Sequence, residues 1–368
     1  MVGHKPSNHG RITARDSTPS LRNNVSTLLI TSLSMKSGKT SLCGALSLNL
    51  LESGYDVHYC KPLAEDTDND QDTDFITKTV LKDSSKVTPP IGSLPSNITS
   101  AESVPLDTVL SRLSELDKER SSEKSVTIIE APPLSHSNEQ VAKISRDFIE
   151  ACDTRVILVS NLQELPGGTL PKNANIVSDR LLGLIINNVP RYKAKNVVDE
   201  LAPLLKKNGV SFLGSVPEDR TMMALTVDQI ANNLDGQWII GQNRSNDLVE
   251  HFLIGGNVMD WGVDYFHRKK NKAVVVRGNR PDLQLAALST HSSCLLLTDG
   301  SPPTEYVIHE ARTRDVPLIK VNMDTITAAD ALGNLVSLAT THHPRKLERF
   351  VELSNHHIDF DKIKFELQ

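Results

Sequence analysis

The sequence has few cysteines, few aromatic residues and no long apolar run, and each shortage excludes a class of protein. Its four cysteines stand far apart without a CxxC pair, so neither a disulfide framework nor a thiolate metal site is indicated. No stretch approaches the ~18 apolar residues of a membrane-spanning helix, and the N-terminus has no apolar signal core. We therefore expect a cytoplasmic chain with small buried thiols and no membrane partner.

Aromatic residues make up 4% of the 368 residues, which predicts cores that are mainly aliphatic. The formal net charge of −5 gives no global electrostatic reason to expect a nucleic-acid or membrane partner. The length favours two or three domains. Residues 1–24 are polar and rich in Ser, Asn, Arg and Pro, which predicts a disordered N-terminal tail.

One stretch of the chain has the layout of a phosphate-binding loop. Thr27 to Thr31 predicts a buried strand, a polar loop follows, and an apolar-periodic helix runs from Gly38 to Ser53. Unpaired backbone N–H groups and the helix dipole would attract phosphate at that junction. The side chain of Lys39 would neutralise the β- and γ-phosphates, and the Thr40 hydroxyl would hold Mg²⁺. The candidate nucleotide-binding residues are Ser34, Met35, Lys36, Ser37, Gly38, Lys39, Thr40 and Ser41.

This loop departs from the usual phosphate-binding pattern at one position. The usual pattern starts with a glycine five residues before the second glycine, and this chain has Leu33 there. The alternative interpretation is therefore an ordinary strand-to-helix turn with a surface lysine.

Two carboxylates are candidate ligands of the metal that accompanies bound phosphate. Ser125 to Glu130 predicts a strand that ends in a carboxylate and is stopped by two prolines. A neighbouring strand delivers an acidic residue to Mg²⁺ in this manner in phosphate-loop proteins, whereas the alternative is a glutamate facing solvent. Asp72, within the acidic run from Glu65 to Asp74, is the second candidate ligand; the alternative for that run is a solvated loop.

Strand-like and helix-like segments alternate over residues 25–217, which predicts an α/β fold with a doubly wound, mostly parallel sheet. Asn187 follows a predicted strand at the edge where such sheets bind ligands, and it would contact a nucleotide base or cap the next loop. Three further strand-like runs predict a second, smaller α/β domain over residues 218–340. Residues 341–368, which contain two His pairs, are predicted to form a C-terminal helical tail.

Residues 26–217 resemble the P-loop domain of dethiobiotin synthetase and its relatives, and residues 210–338 resemble the DRTGG domain. Together they resemble the N-terminal part of long phosphotransacetylases. The second match includes Gly214-Ser-Val-Pro-Glu-Asp-Arg-Thr221 and Val276-Arg-Gly-Asn-Arg280. The first is carried by Ser32-Leu-Ser-Met-Lys-Ser-Gly-Lys-Thr40, Tyr59-Cys-Lys-Pro62, Ile128-Ile-Glu-Ala131 and Gly183-Leu-Ile-Ile-Asn-Asn-Val-Pro190.

The resemblance implies ATP and Mg²⁺ as cofactors and a regulatory second domain that self-associates, so a homo-oligomer is expected. In an enzyme of this kind, Lys39 and Lys61 would be the catalytic residues, with Lys61 meeting the acid or carbamate being activated. Glu130-Ala-Pro-Pro133 stands where dethiobiotin synthetase has a glycine-rich segment, so carboxylation of a diamino acid is not expected. The matched stretch includes no acyltransferase domain, so the chain is not expected to make acetyl phosphate by itself.

Three functions are consistent with these features. The first is an ATP-binding regulatory or sensor protein, which we favour. The second is an ATP-dependent ligase of the dethiobiotin synthetase type, and the third is a partner subunit of an acyltransferase that does not use nucleotide.

Overall fold

The structure is a computed structural model that describes residues 27–95, 104–119, 124–256 and 262–367. The tail predicted over residues 1–24 lies outside the described residues. The first domain contains the strands β1 (Thr27–Ser32), β2 (Asp56–Cys60), β3 (Leu63–Ala64), β4 (Val87–Thr88), β5 (Gly92–Ser93), β6 (Ser125–Glu130), β7 (Arg155–Asn161), β8 (Leu181–Val189) and β9 (Phe212–Pro217).

Its helices are α1 (Lys39–Glu52), α2 (Gln71–Phe75), α3 (Leu106–Glu119), α4 (Glu139–Ala151), α5 (Ala194–Asn196) and α6 (Ala202–Lys207). A π-helical turn, Ile76–Leu81, continues α2, and another, Val197–Leu201, joins α5 to α6. Short 3₁₀ segments cover Ser84–Lys86, Leu162–Glu164, Pro166–Gly168, Lys172–Arg180 and Arg191–Lys193.

Seven of these strands form one parallel sheet in the order β4-β2-β6-β1-β7-β8-β9. Strand β1 lies between β6 and β7; the connection from β1 runs to β2 on one side and the connection from β7 runs to β8 on the other. The carboxyl ends of the strands at such a reversal are where open α/β sheets bind ligands. The predicted doubly wound α/β fold is confirmed. The sheet places the loop after β1, the end of β6 and the end of β8 along one edge.

The second domain contains the strands β10 (Leu225–Thr226), β11 (Gln237–Ile240), β12 (Leu248–Val249), β13 (His251–Ile254), β14 (Lys272–Arg277), β15 (Ser292–Thr298) and β16 (Leu318–Lys320). Its helices are α7 (Val227–Asn233), α8 (Gly262–His267), α9 (Pro281–Leu288), α10 (Glu305–Thr313) and α11 (Thr325–Leu335), with 3₁₀ segments at Gln242–Arg244 and Val336–Leu338. Two helices end the chain: α12 (Pro344–His357) and α13 (Phe360–Glu366).

The second domain has its own five-stranded sheet, in the order β11-β16-β15-β14-β13. Strands β13 to β16 are parallel, and β11 joins the edge antiparallel to β16. The three strands predicted from the sequence are β14, β15 and β16. The edge strand β11 is not predicted, because four residues are too few for an alternating pattern to be recognised. Among the described residues, no helix is both long enough and apolar enough to cross a lipid bilayer.

The two C-terminal helices pack against the first domain of their own chain. Leu347, Phe350 and Ile363 share a buried core with Leu42 and Leu46 of α1. The packing is close, since a Cβ atom added at Gly44 of α1 would lie 2.9 Å from the Leu347 Cδ1 atom. The stretch predicted as a helical tail over 341–368 therefore contributes to the core of the first domain.

The start of α12 is also fixed by polar contacts to the segment that joins β9 to β10. Arg349 donates two hydrogen bonds to the Asp219 carboxylate, at 3.1 and 2.9 Å. The Lys346 Nζ atom, in a side chain that is 2% exposed, donates to the carbonyl oxygens of Met222 and Thr340 at 3.2 and 2.6 Å. Burial lowers the pKa of Lys346 to about 8. The chain around residue 340 is thus held next to the segment that joins the two domains.

Candidate functional site

The loop between β1 and α1 is closed by its own polar side chains. The Ser37 hydroxyl donates to the Ser34 carbonyl oxygen at 2.8 Å, and Gly38 adopts a left-handed conformation with φ of 94°. Leu33, which replaces the usual first glycine, is 2% exposed and packs in the apolar core that contains Leu134. The leucine is therefore accommodated by the core of the domain.

Asn187, at the carboxyl end of β8, braces this loop. Its Nδ2 atom donates to the Ser37 carbonyl oxygen at 2.8 Å. A Cβ atom at Gly38 would lie only 2.2 Å from that nitrogen, so this approach requires glycine. The amide of Asn187 is thus used in holding the loop; a contact with a nucleotide base stays a prediction.

Lys39, the first residue of α1, lies at the mouth of the loop. Its Nζ atom donates to the Ser32 hydroxyl oxygen at 3.1 Å, the one hydrogen bond that this ammonium makes to the described residues. Burial lowers the pKa of Lys39, while the Glu130 and Asp72 carboxylates oppose that shift. This ammonium group is partly desolvated and has further N–H donors that are not used within the described part of the chain, and such a group is suited to binding an anion.

Two carboxylates and a hydroxyl converge next to Lys39. The Thr40 Oγ1 atom lies 2.8 Å from Glu130 Oε1 and 2.9 Å from Asp72 Oδ1. One hydroxyl proton cannot serve two ionised carboxylates at once, and burial, reinforced by the charge of Asp72, raises the pKa of Glu130. A divalent cation with oxygen ligands would relieve this crowding of acceptors, so the residues fit Mg²⁺.

Glu130 itself is held rigidly at the end of β6. It is 3% exposed, and its second oxygen accepts a hydrogen bond from the Tyr59 hydroxyl at 2.8 Å. Among the described residues, no group of three or more His, Cys, Asp or Glu side chains is arranged to hold a metal alone. A cation at Thr40 would therefore depend on oxygens from a ligand as well as on protein.

Lys61 lies on the far side of Asp72 and donates two hydrogen bonds to carboxylates. Its Nζ atom donates to Asp70 Oδ1 and to Asp72 Oδ2, each at 2.5 Å. Burial opposes the charge of Lys61, but the carboxylates of Asp72, Glu130 and Asp70 raise its pKa above the usual range. The catalytic role of Lys61 stays a prediction.

The acidic run from Glu65 to Asp74 has two portions: one accepts hydrogen bonds from neighbouring backbone groups, and the other contacts the side chains around Lys39 and Thr40. Asp66 accepts hydrogen bonds from the backbone N–H groups of Asp68 and Asn69, as in an ordinary solvated turn. Asp70 instead caps α2 by accepting from the Thr73 N–H group at 2.8 Å, and Asp72 faces Thr40. The interpretation as a solvated loop therefore fits the portion around Asp66, whereas the assignment of Asp72 as a metal ligand stays a prediction.

The remaining predicted loop residues differ in their exposure, since Ser37 and Ser41 are buried. Met35 is 51% exposed, and Lys36, with φ of 55°, donates from Nζ to the Ser337 carbonyl oxygen at 3.1 Å. The Ser41 hydroxyl lies 2.5 Å from the Thr341 hydroxyl. Ser34 and Ser37 line the loop itself, with their hydroxyl oxygens 3.3 Å apart.

Sequence reasoning missed three contributors to the site. Ser32 accepts a hydrogen bond from Lys39, and Tyr59 donates one to Glu130. His342 contacts Asp72 through its Nε2 atom at 2.7 Å. No sequence signal connects the His pair at 342 and 343 with a carboxylate that lies 270 residues before His342. His343 caps α12, accepting on Nδ1 from the Arg345 N–H group at 3.2 Å.

Comparison with known protein families divides the chain at about the same place as the two sheets. A family model described as AAA domain (AAA_26) matches residues 26–226, and the DRTGG domain model matches residues 229–335. The chain is also similar to the phosphate acetyltransferase of Pseudomonas aeruginosa, with 23% identity over 89% of this chain and 50% of that protein. The phosphate acetyltransferase of Synechocystis is 24% identical over 50% of this chain and 28% of that protein.

The chain thus spans about half or less of the length of these curated relatives. Among solved structures, the Aquifex aeolicus MinC:MinD cell division complex matches 53% of this chain and 83% of that chain, with 14% identity and a TM-score of 0.37. The CBS and DRTGG domains of the Clostridium perfringens pyrophosphatase match 41% of this chain and 71% of that chain, with 15% identity and a TM-score of 0.28.

The AAA_26 match covers more than half of the 368 residues. The chain therefore belongs to the AAA_26 family, with a P-loop domain followed by a DRTGG domain.

Proposed function

We propose that this protein binds Mg-ATP in the loop between β1 and α1 and uses the second domain to regulate or report that binding. The observation that carries the proposal is the convergence of the Lys39 ammonium, the Thr40 hydroxyl and the Glu130 and Asp72 carboxylates at the start of α1. A cation-binding set of oxygens beside an available ammonium is the arrangement that a metal-bound polyphosphate requires.

Each residue has a separate role in this proposal. Lys39 supplies positive charge to the phosphates, and Gly38 and Asn187 fix the backbone that surrounds them. Thr40, Glu130 and Asp72 would hold Mg²⁺, which when bound neutralises phosphate charge. The role of Lys61 is to keep the Asp72 carboxylate ionised and oriented.

Regulation is favoured over a ligase activity by the loop that follows β6. The backbone N–H groups of Ala131, Leu134 and Ser135 donate to Ile30, Ser32 and Leu33 at 2.9, 2.8 and 3.0 Å, and Pro132 and Pro133 have no N–H group. Residues 131–135, the part of this loop next to the end of β6, therefore offer no free backbone donor to a second, anionic substrate. The proposal predicts nucleotide binding without phosphate release on addition of small carboxylic acids, and the ligase predicts such release.

The conservative substitution Glu130→Gln tests the metal site. Glutamine keeps the shape of the buried side chain but removes the charge that attracts Mg²⁺. We expect the Mg²⁺-dependent gain in ATP affinity to fall by ~10–100-fold, the range seen when groups around a bound metal are removed. Affinity measured in EDTA should hold or rise, because the neutral amide does not repel the phosphates. Isothermal titration calorimetry with and without Mg²⁺ measures both quantities.

Glu139→Gln is the matched control, because Glu139 lies at the exposed start of α4 and pairs with Arg146. This variant should bind ATP as the native chain does under both conditions. An equal loss of affinity with and without Mg²⁺ in Glu130→Gln would contradict the metal assignment while leaving the nucleotide site intact.

A further inference from the structure

The connection between the second domain and α12 lies directly on the nucleotide loop. It contributes three polar contacts: Ser337 accepts from Lys36 at 3.1 Å, Thr341 lies 2.5 Å from Ser41, and His342 lies 2.7 Å from Asp72. Each contact joins residues that lie 270 to 301 positions apart in the sequence. Together they reach the loop before α1, the start of α1 and the Asp72 carboxylate. We refer to residues 337–343 as the C-terminal connection.

Asp72 is fixed at both of its oxygens. Its Oδ2 atom accepts from Lys61 at 2.5 Å, and its Oδ1 atom, the one that faces Thr40, is also the atom contacted by His342 Nε2. The His342 ring packs edge-on against Phe75, with ring centroids 5.6 Å apart and an interplanar angle of 64°. Without His342, rotation of the Asp72 carboxyl group about its Cβ–Cγ bond would be opposed on the Oδ1 side by Thr40 alone.

The position of His342 depends in turn on the second domain. The next residue, His343, contacts the Asn246 carbonyl oxygen through Nε2 at 3.1 Å. The buried Lys346 holds the carbonyl oxygens of Thr340 and Met222 together. The C-terminal connection is therefore attached to the P-loop domain on one side and to the second domain on the other.

We propose that His342 is a positioning residue that aims Asp72 at the metal, so that the Mg-nucleotide site is complete only when the C-terminal connection lies on the P-loop. This inference rests on the proposed function, binding of Mg-nucleotide. It goes further in assigning part of the site to a segment that lies beyond the second domain. It also provides a physical route by which the second domain affects nucleotide affinity.

The test compares His342→Leu with His342→Gln in the full chain. Leucine fills the space without a donor, whereas glutamine offers an N–H group close to the position of Nε2. Mg²⁺ is titrated at fixed ATP by calorimetry, and affinity for ATP in EDTA is measured in parallel. We expect His342→Leu to weaken the Mg²⁺-dependent gain by ~10-fold, to leave the affinity in EDTA unchanged, and to be largely rescued by glutamine.

His357→Leu is the matched control, since that side chain is exposed at the end of α12. The inference is overturned if His342→Leu retains the Mg²⁺-dependence of this control, or if it loses affinity equally with and without Mg²⁺, as a purely structural role would produce. If Glu130→Gln lowers the Mg²⁺-dependence and His342→Leu does not, the proposed function stands and this inference fails. If the native chain binds no nucleotide, both fail.

Discussion

Replacement of Lys39 by alanine is expected to abolish the rise in melting temperature that ATP produces. For the native chain, a ligand at 100 times its Kd stabilises the folded state by about 2.7 kcal/mol. The variant lacks the ammonium that we propose binds the phosphates, and each hydrogen bond to a charged group contributes about 1.5–3 kcal/mol. Differential scanning fluorimetry over a range of Mg-ATP concentrations measures the effect.

Lys78→Ala is the control for loss of a positive charge. Lys78 lies on the exposed surface of the first domain, where it pairs with Asp74 at 2.6 Å, and its removal should leave the ATP response unchanged. If Lys39→Ala still gains as much melting temperature from Mg-ATP as Lys78→Ala does, the phosphates bind elsewhere.

Gly38→Ala is expected to have an effect of similar size for a different reason. The added Cβ atom would lie 2.2 Å from Asn187 Nδ2, and φ of 94° is unfavourable for any residue with a side chain. Strain of this backbone type costs about 1–3 kcal/mol, and relief of the collision would move Asn187 away from the Ser37 carbonyl oxygen. ATP binding should be lost together with part of the stability, as measured by calorimetry and chemical denaturation.

Gly54→Ala separates these two causes. Gly54 has φ of 84° with no atom within 4 Å of an added Cβ atom, so alanine there introduces the backbone strain without a collision. This variant should lose stability but bind ATP normally, and the double variant Gly38→Ala, Asn187→Ala should recover part of the stability lost by Gly38→Ala. Normal ATP binding by Gly38→Ala would contradict the proposed role of the loop.

The sequence predicts most reliably the parts of the molecule that depend on short stretches of chain. The strand, loop and helix around Lys39 are predictable because an apolar run, a glycine and a helical period lie next to each other. The end of that helix is predictable because glycine readily adopts the left-handed conformation that often follows a helix, and Gly54 does so with φ of 84°. Glu130 is identifiable because it ends a strand, and parallel strands end at the same edge of a sheet.

Contacts between distant segments cannot be predicted in this way. His342 meets Asp72 only because α12 packs on α1 and carries the C-terminal connection to the loop. Within the acidic run, composition does not separate the solvated Asp66 from Asp70, which caps a helix. Leu33 stands where the usual phosphate-loop pattern has glycine, and the sequence alone does not show that this side chain packs in the core of the first domain. The predicted self-association and the acyltransferase partner stay predictions.

Titration of Mg-ATP into the full chain by isothermal calorimetry tests the central claim most directly. The account predicts saturable heat with one nucleotide per chain, a higher affinity with Mg²⁺ than with EDTA, and no heat for Lys39→Ala. Absence of heat with both Mg-ATP and Mg-GTP, from a chain shown to be folded by circular dichroism, would contradict it.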